Sequence, residues 1–268
     1  MYRKIFIVCG MPRSGTSWLG QIFDSSPDVA FRMEPLFSYR FKNIIDEKSS
    51  KKELERFFKE VYETDDEFIH QSENRNKGSY DTFKKNPSPT LLVIKTTRHH
   101  NLIPHYLNNL DNLNLISIVR HPCAAISSWI NTDNEFSAKG CRIDKDWKSG
   151  KCRKDGQGEY WGFDDWLEVT KQHLALSKSS SNVHIMKYSN LIRNPEQATQ
   201  DLFRPLDIAY TQQTIDFLKS STSNHNDDPY AVFKSYEVET QWKSKLDPQL
   251  ATQIIDSTIR SGLEEFLY

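Results

Sequence analysis

Long apolar runs are absent from this chain. No stretch of about 18 apolar residues occurs, so no transmembrane helix is expected. A secretory leader is not expected either, because Met1-Tyr2-Arg3-Lys4 passes straight into a short apolar stretch that breaks at Gly10. There is no excess of either charge. Lys+Arg number 35 and Asp+Glu 36, a net charge of −1, which gives no support to nucleic-acid binding on a basic face. No C-x-x-C pair exists, so the common structural zinc pattern is missing and no metal is expected. The expectation from these absences is a cytoplasmic protein, free of nucleic acid and membrane. Of the four cysteines, Cys9 and Cys123 fall in apolar segments and are expected to be buried thiols. Cys141 and Cys152 lie in a polar insertion and could reach one another, but in a reducing compartment free thiols are expected.

What is present starts at Ile5-Phe6-Ile7-Val8-Cys9-Gly10, an apolar run ending in glycine. A tight polar loop, Met11-Pro12-Arg13-Ser14-Gly15-Thr16-Ser17-Trp18, leads into a helical pattern through Ile22 and Phe23. Buried strand, loop and helix in that order form a phosphate-binding unit. Its glycines let the backbone approach an anion, and its amides and helix N-terminus face that anion. The lysine of G-x-x-x-x-G-K-[ST] is missing after Gly15, and a cation stands inside the loop instead, at Arg13. The best later strand, Asn114 to Val119, ends in Arg120 rather than the aspartate a magnesium-dependent triphosphatase needs. The loop therefore suits an anionic nucleotide held by arginine and amides without metal. After Arg120, Pro122 opens a helix on which Ser128 lies about two turns in.

Together these motifs resemble the sulfotransferases that use 3′-phosphoadenosine-5′-phosphosulfate (PAPS). Gly10 to Ser17 is similar to the family's 5′-phosphosulfate loop, and Arg120 with Ser128 to its 3′-phosphate site. The resemblance implies a P-loop-like α/β fold, a parallel sheet with helices on both faces, in one domain over residues 1–268. It implies PAPS as co-substrate, with binding at Gly10, Pro12, Arg13, Ser14, Gly15, Thr16, Ser17, Trp18, Arg120, Ser128 and Tyr188. Trp18 stands where family members stack an aromatic on the base, and Tyr188 where a tyrosine approaches the adenine; core packing is the alternative for Trp18.

The catalytic expectations are Glu34, Lys95 and Arg13. Asp28 to Pro35 is expected to be a second short strand, and Pro35 keeps Glu34 out of helix, at the strand end. The resemblance implies a general base at Glu34, as in carbohydrate- and tyrosine-directed members; a solvated glutamate before a turn is the alternative. Lys95 ends the strand Thr90 to Lys95, where it would stabilise charge on the transferring group. Thr97 stands where cytosolic members carry their base histidine, which leaves His99 and His100 as weaker candidates. The acceptor implied is a hydroxyl of a glycan, glycolipid or small molecule, with a phenol as an alternative. A homodimer is among the expected assemblies. A degenerate nucleotide kinase and a non-catalytic nucleotide binder are the rival functions.

Elsewhere, 49–70 has a helical period, 71–88 a loop composition and 134–158 the polarity of an insertion, a candidate lid over the acceptor. Asn182 to Tyr188 is the last strand, Pro195 to Leu206 and Gln212 to Leu218 are helical, and Asp247-Pro248 caps a final helix. The polar stretch 220–228 is expected to be flexible. The region around Trp242 and Lys243 lacks the basic glycine-rich signature of the family's late 3′-phosphate loop.

Overall fold

The computed structural model describes residues 2–223 and 236–268. Five strands form one parallel sheet in the order β2-β3-β1-β4-β5. They are β1 (Lys4–Cys9), β2 (Val29–Met33), β3 (Leu91–Thr96), β4 (Leu113–Val119) and β5 (Val183–Lys187). Because every connection is a crossover, helices cover both faces and the strands read as continuous apolar runs.

Alternation along β1 shows how the layers divide. Phe6 and Val8 join one core with Leu19, Ile22 and Phe23 of the Thr16–Asp24 helix and Leu202 and Phe203 of the Pro195–Leu206 helix. Ile5, Ile7 and Cys9 face the other core, with Leu54, Phe57, Phe58 and Val61 of the Lys51–Glu63 helix. That helix starts with a full capping box between Ser50 and Glu53. It ends at Glu63, and buried Arg32 on β2 donates Nε to the Val61 carbonyl at 2.9 Å, a basic cap on the last turn. The period read over 49–70 thus breaks. Asp66 caps a new short turn by accepting from the Ile69 amide at 3.0 Å.

A third core packs the Pro122–Ile130 helix against the Gly162–Ser179 and Pro248–Arg260 helices. Trp129 and Trp166 are buried there, as the helical spacing suggested for Trp129. The 134–158 insertion carries a short helix, Ile143–Ser149, and differs from expectation at its cysteines: Cys141 and Cys152 form a disulfide. Burial of Cys141 against that core holds it opposite Cys152, so proximity overrides the expected free thiols. Cys9 and Cys123 are free and buried. Among the described residues no helix is long and apolar enough to cross a membrane. The stretch 220–228 and the start of the late region lie largely outside the described residues.

Candidate active site

All strands run the same way, so the ends of β1, β2, β3 and β4 open on one edge of the sheet, where α/β folds bind ligands. A cavity of about 800 Å³ lies along that edge.

The loop after β1 forms its floor. Gly15 sits at φ 88° before the Thr16–Asp24 helix, and a Cβ there would come within 2.5 Å of the Tyr188 ring. Gly10 backs onto the Ile118 carbonyl, 2.4 Å from where a Cβ would stand. Both positions demand glycine for close approach. Arg13 also has positive φ, 67°, and its Nε donates to Ser128 Oγ at 3.2 Å. Its Nη1 lies 3.8 Å from the Glu135 carboxylate. Pro12, Arg13, Gly15, Thr16, Ser17 and Trp18 line the cavity. Gly10 and Ser14 do not; Ser14 is buried and its hydroxyl has no hydrogen-bond partner.

Arg120 enters from the end of β4. Its guanidinium donates Nε to Glu239 at 2.9 Å, Nη1 to the Arg13 carbonyl at 3.0 Å and Nη2 to the Val238 carbonyl at 2.6 Å. It also lies 4.8 Å over the Tyr188 ring. Tyr188 in turn meets Trp18 edge-on at 6.2 Å, and Trp18 Nε1 donates to Ser221 at 2.9 Å. The two sequence motifs therefore touch directly, through Arg13–Ser128 and Arg120–Arg13.

Glu34 stands across the cavity at φ 42°, buried to 5% exposure. Lys95 Nζ donates to it at 3.2 Å, Thr96 Oγ1 at 2.8 Å, the Thr97 amide at 2.8 Å and Thr97 Oγ1 at 2.9 Å. Arg98 lies 3.6 Å away. Burial alone would raise this carboxyl; Lys95, Arg98 and the threonine hydrogen bonds outweigh burial and bring it down to about 2. Burial lowers the Lys95 ammonium, and Glu34 only partly restores it. The pair is thus ionised and buried, and its carboxylate is also held by Thr96, Thr97 and Arg98.

Several contributors escaped the sequence reading. Arg98 stacks 4.0 Å over the Phe37 ring and pairs with Glu159 at 2.8 Å. Phe37 and Phe68, 5.9 Å apart, stay half-exposed at the cavity rim. Glu135, Arg153 and Trp161 bring the insertion and its flank to the wall, and Gln71, Asn74 and Lys77 bring the polar 71–88 segment. The histidines that follow β3 do not gather at the cavity. His105 bonds the Ser49 carbonyl and His99 abuts Gly158, while His100 is fully buried rather than exposed.

A phosphate loop joined to an arginine at the next strand end, with a buried Lys–Glu pair facing both, defines an anionic-nucleotide group transferase. Comparison narrows that class: a model described as "Sulfotransferase family" matches residues 5–212, and the chain belongs to this family. The fold resembles mouse sulfotransferase SULT7A1 complexed with PAP, at 14% identity over 97% of this chain and 86% of that one, TM-score 0.53. The sulfotransferase domain from the curacin biosynthetic pathway aligns at 16% identity, 96% and 97% coverage, TM-score 0.54. Retinol dehydratase in a complex with retinol and PAP aligns at 11% identity, 97% and 82% coverage, TM-score 0.58. No curated protein sequence matches the chain.

Proposed function

We propose that this chain transfers a sulfuryl group from PAPS to a hydroxyl of a carbohydrate or glycolipid, with Glu34 as general base. The observation that carries the reading is one cavity into which the phosphate loop, Arg120, Ser128 and the Lys95–Glu34 pair all open. The residues fit such a nucleotide. The Gly15 position admits no side chain, and Arg13, Lys95 and Arg120 supply cationic donors. PAP in two of the related structures agrees with this choice.

PAPS supplies the sulfuryl group and the phosphate that leaves. The chain's residues do the rest. Gly10 to Ser17 hold the 5′ end, Arg120 and Ser128 hold the 3′-phosphate, and Trp18 and Tyr188 lie beside the base. Glu34 takes the acceptor's hydroxyl proton on a carboxylate oxygen. Lys95 and Arg13 stabilise negative charge where it develops. At about 2, Glu34 is a weak base while Lys95 leans on it. A nucleotide that draws the Lys95 ammonium toward itself frees that carboxylate and raises its basicity. Half-exposed Phe37 and Phe68 at the rim offer rings against which a sugar face can pack.

Nucleotide binding is tested by thermal shift with PAP, ATP–Mg²⁺ and 5′-AMP. A ligand at a hundred times its Kd adds about 2.7 kcal/mol. Stabilisation by PAP, weakened by Arg120→Ala, upholds the reading; stabilisation by ATP–Mg²⁺ alone overturns it in favour of a kinase. PAP binding with no transfer to any sugar or phenol acceptor would favour a non-catalytic binder.

A further inference from the structure

Beneath the phosphate loop, outside the cavity, three side chains with metal-ligating atoms converge. Cys9 ends β1, His100 follows β3, and His173 projects from the Gly162–Ser179 helix. All three are 0% exposed, and none lines the cavity. One ligating atom from each lies within 4.8 Å of the other two. Cys9 Sγ is 4.0 Å from His173 Nδ1, and the two imidazole rings are 5.2 Å apart.

The polar atoms here are poorly satisfied. His173 Nε2 has no hydrogen-bond partner, and the His100 ring meets only the Thr97 backbone, without good hydrogen-bond geometry. Buried polar atoms nearly always find one, and leaving them bare is costly. Nitrogens so placed beside one thiol call for an occupant. Ser117 Oγ lies 2.7 Å from His173 Nδ1, the same nitrogen that Cys9 Sγ approaches; this outer hydrogen bond fixes the imidazole and leaves Nε2 as its ligating atom.

We propose that Cys9, His100 and His173 bind one thiophilic metal ion through a thiolate sulfur and two imidazole nitrogens. The donor set selects the chemistry. With one sulfur and two nitrogens and no carboxylate among them, hard ions such as Mg²⁺ and Ca²⁺ are disfavoured, and Cu⁺ and Zn²⁺ suit it. Cu⁺ with one thiolate leaves the buried site neutral. Zn²⁺ leaves it singly positive, within the field that the Glu34 carboxylate exerts on Cys9 and His100. On binding, the Cys9 S–H bond breaks, an S–metal bond forms and the proton leaves to solvent, with no change of oxidation state. The ion ties β1, β4, the turn after β3 and the Gly162–Ser179 helix together directly under the loop.

The test is metal titration of the full chain after chelator treatment, with Zn²⁺, with Cu⁺ under reductant, and with Co²⁺ as a spectroscopic probe. The expected result is one ion per chain, a melting temperature raised by several degrees, and a near-ultraviolet thiolate-to-cobalt band. That band disappears in Cys9→Ala and persists in His105→Gln. Should Cys9→Ala fail to fold, alkylation kinetics of the folded wild type take its place: metal must slow labelling of Cys9 by a larger factor than labelling of Cys123, which is equally buried, and equal slowing of the two overturns the proposal. Absence of stoichiometric binding by all three ions, or a cobalt spectrum without the thiolate band, overturns the proposal and leaves a plain buried polar cluster.

Discussion

Arg120 Nε donates to Glu239 at 2.9 Å across 119 residues of sequence, and both residues are buried. The arginine read as the 3′-phosphate anchor is therefore already paired with a carboxylate. A phosphate that comes to Arg120 must displace Glu239 or sit beside it. Burial pushes the Glu239 carboxyl up, against the pull of Arg120, so this carboxylate is held at some cost. Glu239→Gln should tighten PAP binding by about tenfold, the size of one charge-assisted hydrogen bond no longer in competition. Calorimetric titration of both proteins measures it; equal or weaker binding in the variant removes Glu239 as a competitor.

Glu34→Gln should slow turnover by roughly 10²–10⁴-fold with little change in PAP affinity. Pre-steady-state sulfuryl transfer beside PAP titration separates the two effects. A variant near the wild-type rate would sink the base assignment.

The same residue sets an acid limb of stability. Its folded pKa, about 2, lies below the ordinary 4.5, so its contribution is present above pH 4.5 and is lost as pH falls toward 2. The contribution is on the order of 3 kcal/mol for so buried a group. Chemical denaturation from pH 6 to pH 3 should show a steeper loss in the wild type than in Glu34→Gln, after subtraction of the common acid dependence.

Gly15→Ala should destabilise the fold by about 1–3 kcal/mol, since alanine keeps the strained φ and meets the Tyr188 ring. Melting temperature reads this directly. The variant should also lose PAP binding, because the ring cannot move without disturbing Arg120, which lies over it.

Reduction of the Cys141–Cys152 bond closes off a constraint on a short loop and should cost roughly 3 kcal/mol by chain-entropy arithmetic. Thiol counts under denaturing conditions should rise from two to four on reduction, since Cys9 and Cys123 are free. Bonds of this kind persist in oxidising compartments, so a count of four in protein taken directly from its source would support the cytoplasmic setting expected from the sequence.

Much of the fold was legible because its signals are local. The central strands β1 and β3 are nearly continuous apolar runs, and each strand ends near a glycine, proline or charged residue that marks the turn. The loop from Gly10 to Ser17 and the Arg120–Ser128 pair were readable for the same reason. The break in the 49–70 helix was local too, in the Asp66 cap, but the apolar period across it masked the signal. What sequence hid was pairing at a distance. Nothing local marks Thr96 and Thr97 as the donors that fasten Glu34, although Thr97 was noticed as a missing histidine. Nothing local marks His100 as buried; His173, from a helix some seventy residues on, closes over it. The Cys141–Cys152 bond depended on burial of Cys141 in a core built mostly from residues after 160.

Arg120 faces Glu239, Lys95 faces Glu34, and Arg13 faces Glu135. A pocket for a polyanion that neutralises itself at rest has little pull on the small anions that crowd any solution. Chloride, sulfate or inorganic phosphate can contest one of these pairs at a time, and gains too little from one to hold on. A ligand with negative charge at both ends reaches several together. Selectivity then comes from simultaneous engagement, and a chain with a net charge of −1 can handle a highly charged nucleotide without presenting a bare basic surface to everything else.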